Sequence, residues 1–143
     1  MATLTEILMN EQTRPQVEAD CAALIEREVA AKGFAIKAAF KTVKMFKRDI
    51  VPDAVSHLLP EFVEKMEPFY AEHLAAGGGD LRAFSVTNAE RIADALLSIT
   101  DARAENSKHK TLVKAYRSLR PKGREQVIQA MPGVGDVLVK NGA

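Results

Sequence analysis

Tryptophan is absent from this 143-residue sequence, and cysteine occurs once, at Cys21. A lone cysteine forms no internal disulfide and has no Cys-x-x-Cys partner for zinc or redox chemistry. Cys21 falls on an apolar helical stripe, which marks it as a buried, inert thiol. Histidine is scarce as well: His57, His73 and His109 are widely spaced, and none follows a Glu by three residues. The Glu-x-x-His pattern of di-iron bundles is therefore missing. Gly77, Gly78 and Gly79 lack the Lys-Ser/Thr pair that completes a phosphate-binding loop. We expect no catalytic site, no metal site and no cofactor, hence a protein that is not an enzyme.

Two further absences bear on location. The opening MATLTEILMN has no basic start and carries Glu6, so it does not read as a secretory signal. No apolar run approaches the ~20 residues of a membrane span. These features point to a cytoplasmic protein.

What is present is an ordinary globular composition, 47% hydrophobic and 27% charged. A chain of this length is expected to form one domain, residues 1–143, and to bury roughly two-thirds of its unfolded surface. The pattern is helical throughout, with no strand alternation and no internal repeat. Thr3 with Glu6, Thr13 with Gln16 and Thr87 with Glu90 have capping-box spacing. Pro15 suits a first helical turn. Val17, Cys21, Leu24, Ile25 and Val29 form one stripe, which Gly33 would end as a C-cap.

The next helix reads from about Phe34 to Ile50, stopped by Pro52. Asp53 would cap a short helix to Leu59, and Pro60 would open another that ends at the glycine run. After Thr87 a helix places Ile92, Leu96 and Ile99 inward. Asn106 or Ser107 would cap one that ends before Pro121, and Pro132 would close the next. The expected fold class is all-α, a compact bundle of about six to eight helices with no sheet. Phe40, Val43, Phe46, Phe62, Phe69, Leu96, Ile99, Leu112 and Tyr116 are the expected contributors to one core.

Charge is the uneven feature. Net charge is only +1, yet residues 32–48 and 108–124 hold 13 of the 20 Lys and Arg and no acid. The rest of the chain holds 7 basic residues and all 19 acidic ones. At about 100° per residue, Lys37, Lys41, Lys44 and Arg48 fall on a stripe roughly 60° wide, opposite Ile36, Ala39, Phe40 and Val43. Lys110, Lys114 and Arg117 repeat the spacing, with Leu112, Val113, Tyr116 and Leu119 facing away. Like charges at i and i+4 repel slightly, so a stripe built for stability alone would include Glu. Segregated charge creates a local field that the net value hides.

One short motif bears on that field. AMPGVGDVL, residues 130–138, resembles the turn of the helix-hairpin-helix DNA-binding motif, a Pro-Gly-hydrophobic-Gly turn between two helices. The resemblance implies that Gly133 and Gly135 present backbone N–H groups to a phosphate. It covers about a dozen residues and departs from the family at Val137 and Val139, where a basic residue and a small one are usual. The second helix also has only eight residues. Pro-Gly pairs also simply stop helices.

We therefore expect a small non-catalytic module that binds polyanions, foremost a nucleic-acid backbone without sequence preference. Its contacts would be Lys37, Lys41, Lys44, Arg48, Lys110, Lys114 and Arg117. Base stacking is not expected, because Phe40, Phe46 and Tyr116 lie on apolar faces. An anionic membrane surface ranks second, since the apolar side of the helix is needed for the core. The alternative is a helical scaffold with no nucleic-acid role. It would self-associate or meet an acidic partner, its basic stripes answered by Glu61, Glu64 and Glu72.

Overall fold

A computed structural model describes residues 2–143. It is all-α, 82% helical, with seven helices and no strand among the described residues. They are α1 (Leu4–Leu8), α2 (Arg14–Ala30), α3 (Phe34–Phe46), α4 (Ile50–Ala75), α5 (Leu81–Thr87), α6 (Ala89–Glu105) and α7 (Lys110–Lys140).

The core forms where α1, α2, α4, α5, α6 and the C-terminal half of α7 meet, around Leu4, Leu8, Val17, Ile92 and Met131. Thr3 caps α1 as its spacing foretells, its Oγ1 accepting from the Glu6 N–H at 3.1 Å. Gly77 and Gly78 end α4 in a Schellman motif: their N–H groups donate to the carbonyls of Leu74 and His73, both at 3.0 Å. All three glycines of the run have φ between +75° and +103°, a region L side chains avoid. Asp80 then caps α5 by accepting from the Ala83 N–H at 3.1 Å.

Pro52, Pro60, Pro121 and Pro132 read differently in the structure than in the sequence. Pro60, like Pro68, lies inside α4, and Pro121 and Pro132 lie inside α7. Pro52 falls in the first turn of α4 and helps start it rather than stopping α3. A proline at 60 removes the N–H that would bond the Ser56 carbonyl, and Arg14 Nη2 donates to that oxygen instead, at 2.9 Å.

Pro121 is bridged from outside the helix. Arg120 holds Asp101 of α6 through two bonds of 2.8 and 3.0 Å, and Arg124 holds Asp94 at 2.7 Å. Tyr116 donates to Asp101 and bonds Thr100 Oγ1 at 2.8 Å. Tertiary contacts on both sides of the proline thus override its local preference.

Three more expectations need correction. Leu81–Thr87 is a helix the sequence did not announce, so Thr87 ends α5 and Asn88 precedes α6. Gly33 caps the start of α3 rather than the end of α2. Of the expected core residues, Phe69 and Ile99 are buried, whereas Phe46 is exposed.

The helix-hairpin-helix turn is also absent: residues 130–138 are helical interior. There the N–H groups of Gly133 and Gly135 are spent within the helix, and a turn that presents them to phosphate does not form. The glycines serve packing instead. A Cβ on Gly135 would come within 2.6 Å of the Arg82 Cα, so α5 and α7 touch backbone to backbone. A Cβ on Gly133 would meet Leu24 Cδ1 at 2.4 Å.

Candidate functional site

The two basic segments come together in space. α3 packs against the N-terminal half of α7, and the Phe46 ring meets His109 edge-on at 5.6 Å between centroids. Between them runs an apolar groove of about 290 Å³, with Phe40 and Val43 on one wall and Leu112, Val113 and Tyr116 on the other. The apolar sides of both helices face this groove, which turns the lysines outward.

Lys37, Lys41, Arg48, Lys110, Lys114 and Arg117 are all exposed. None of these six has an acidic partner within 4.0 Å among the described residues. Lys44 differs: it is half-buried, pairs with Glu26 of α2 at 2.6 Å, and lies 5.6 Å from the Phe40 ring centre. Lys37, Lys41 and Lys44 line one shallow groove of about 380 Å³ against Glu26, Val29 and Ala30 of α2.

Arg48 leaves the stripe, because α3 ends at Phe46 and Lys47 is extended, at φ −146° and ψ 116°. Lys47 is tied to Asp53, which raises the lysine's pKa and lowers the aspartate's through their hydrogen bond.

The acids expected to answer the stripes are engaged elsewhere. Glu61 holds Arg103 at 2.8 Å and Glu72 holds Arg91 at 2.8 Å. Glu64 has no ion pair among the described residues. The acid that does reach the first stripe, Glu26, sits across the α2–α3 hairpin. Hairpin pairing about Gly33 was the signal that could have named it.

The contrast in pairing sets these segments apart. Outside them, Arg14, Arg82, Arg91, Arg103 and Lys140 are paired, and among the described residues Arg27 and Lys65 are not. Inside them, Lys108 and Lys122 join the six residues above as unpaired cations among the described residues. Free positive charge is thus concentrated on α3, on the residues just beyond it, and around the first half of α7.

The three largest exposed apolar residues share that region: Phe34 is 87% exposed, Met45 79% and Phe46 47%, and all three belong to α3, which buries no residue at all. Val86 of α5 and Val139 near the end of α7, each about half-exposed, lie elsewhere.

The remaining candidates have structural accounts. Cys21 lines an apolar cavity of about 170 Å³ with Leu24, Leu59 and Val134. Burial, then the neighbouring charges of Asp20 and Glu18, push its thiol up to about 11, so it is protonated and weakly nucleophilic near neutral pH. His73 is buried between Tyr70 and Phe84. Among the described residues no three His, Cys, Asp or Glu side chains converge to hold a metal ion, and no helix is long and apolar enough to cross a membrane.

Fold and surface define an all-α bundle with one cationic flank. The chain belongs to a family of unknown function, DUF6918, whose model matches residues 4–142. No curated protein and no solved structure matches it.

Proposed function

We propose that this protein is a non-catalytic polyanion-binding module, and that its binding surface is the α3–α7 flank. One observation carries the reading: cations elsewhere in the fold are mostly neutralised, while those of the flank mostly are not. Phosphate contacts need Lys and Arg side chains and little else, so binding is independent of sequence and depends steeply on salt. A nucleic-acid backbone satisfies that chemistry. The reading also keeps the cytoplasmic setting, where nucleic acid and the anionic inner leaflet are both within reach.

Retention on heparin and on random-sequence duplex, measured across a salt series, tests it. The wild-type protein is expected to bind at low salt and to elute as salt rises, with a log–log slope of several phosphates' worth. Absence of retention on both matrices at low salt would overturn the reading. The flank would then belong to a scaffold protein that meets acidic protein surface.

A further inference from the structure

We propose that the outer face of α3 docks on the surface of an anionic lipid bilayer, with Phe34 and Met45 inserted below the headgroups. The inference rests on the anion-binding reading above and names the anion.

The inward side of α3 takes Phe40 and Val43 to the groove with α7. Its outward sector spans about 180° on a helical wheel. Lys37 and Lys41 stand at one edge, Phe34 and Met45 next to them, and the small residues Ala38, Thr42 and Ala35 beyond. Phe34 and Met45 lie about 20° apart on the wheel and about 16 Å apart along the axis, one at each end of the helix. Two large side chains, 87% and 79% exposed, thus flank Lys41 along one face.

A phosphate backbone has no use for those two side chains. A bilayer uses both kinds of residue: apolar side chains enter the acyl boundary, and lysine stems run beside them while their ammonium groups stay at the phosphates. A second copy of this chain is a poorer occupant. Symmetric pairing of the face would gather Lys37 and Lys41 of both copies into one interface, and like charges across an interface repel.

Vesicle co-sedimentation tests the proposal. Wild-type protein is expected to sediment with phosphatidylcholine vesicles that contain phosphatidylglycerol and to stay in solution with pure phosphatidylcholine. Salt should weaken the binding. The double variant Phe34→Ser/Met45→Ser keeps every charge and changes only exposed positions, so it should fold. It is expected to lose about tenfold or more in vesicle affinity while it elutes from heparin at the wild-type salt concentration.

Because the chain has no tryptophan, Phe34→Trp supplies a single reporter. Its emission should shift to the blue on anionic vesicles and be quenched by brominated lipid. Vesicle binding that is unchanged in the double variant, or a reporter that stays in water, would overturn the proposal. Retention on heparin and duplex with no binding to anionic vesicles would overturn it too, while leaving the polyanion reading intact and nucleic acid as the partner. Failure on all three probes would remove both.

Discussion

α3 and α4 are neighbours in the chain, separated only by Lys47, Arg48 and Asp49, yet they use their apolar residues in opposite ways. α4 buries Val51, Val55, Leu59, Val63, Met66, Phe69, Tyr70 and His73. α3 buries none, and it leaves Phe34 and Met45 almost entirely in water. Its inward residues Phe40 and Val43 line an open groove against α7 and are only partly buried. The difference separates two tasks. α4 stabilises the bundle, whereas α3 holds cations and apolar side chains open where the core does not need them. Exposed apolar patches of that kind mark interaction surfaces more often than structural ones.

The comparison is most easily broken by stability measurements. Leu59→Ala, in α4, removes a buried side chain from a packed face and should cost about 2–5 kcal/mol in chemical denaturation. A cost under about 0.5 kcal/mol, the range of surface substitutions, would show that α4 is not the structural helix.

A second contrast lies within α7. Gly135→Ala drives a Cβ into the Arg82 backbone of α5 and should cost about 1–3 kcal/mol. Gly123→Ala, in the first half of the same helix, meets nothing within 4 Å. It should be neutral or stabilising by up to about 1 kcal/mol, because alanine orders the helix more cheaply than glycine. Equal effects would erase the distinction between a packed and an open half of α7. Gly133→Ala should fall between them, since the atom it meets is the flexible end of Leu24.

The clamp that carries α7 past Pro121 gives a smaller effect with a definite pH sign. Arg120 and then Tyr116 hold the Asp101 carboxyl below the usual carboxylate range. A depressed folded pKa contributes stability that is present above the unfolded value, about 4, and is lost as pH falls through the folded one. Asp101→Asn should therefore cost about 1 kcal/mol at neutral pH, discounted for its exposure, and should flatten the acid limb of stability. An acid limb as steep as wild type would remove Asp101 from the account. Smallest of all, Phe34→Ser should change stability by no more than about 0.5 kcal/mol. A larger loss would mean that Phe34 is packed, not presented.

Much of this architecture was legible from local rules. Helix content, the Thr3 cap and the inward stripes of α2 and α6 follow from spacing alone. The long helices did not, because Pro60, Pro121 and Pro132 each argue locally for a break. What overrides them comes from elsewhere in the chain: Arg14 answers the Ser56 carbonyl, and Asp94 and Asp101 answer the arginines beside Pro121. Gly133 and Gly135 resembled a phosphate-binding turn for a related reason. A glycine needed for close helix packing looks, in sequence, the same as one needed for a turn. The basic stripes were visible as spacing, but which cations stay unpaired depends on partners such as Glu26, Asp94 and Asp101, brought near only by the fold. The exposure of Phe34 and Met45 was missed because apolar residues on an amphipathic helix default to the core.

We propose that the α3–α7 flank, and not positive charge in general, holds the anion. Lys41→Glu and Lys65→Glu change net charge equally, and both lysines are exposed and unpaired among the described residues. Elution of each variant from heparin over one salt gradient compares them directly. Lys41→Glu is expected to elute at markedly lower salt than wild type, and Lys65→Glu close to it. Equal shifts for the two variants would contradict the claim and reduce the flank to an ordinary charged surface.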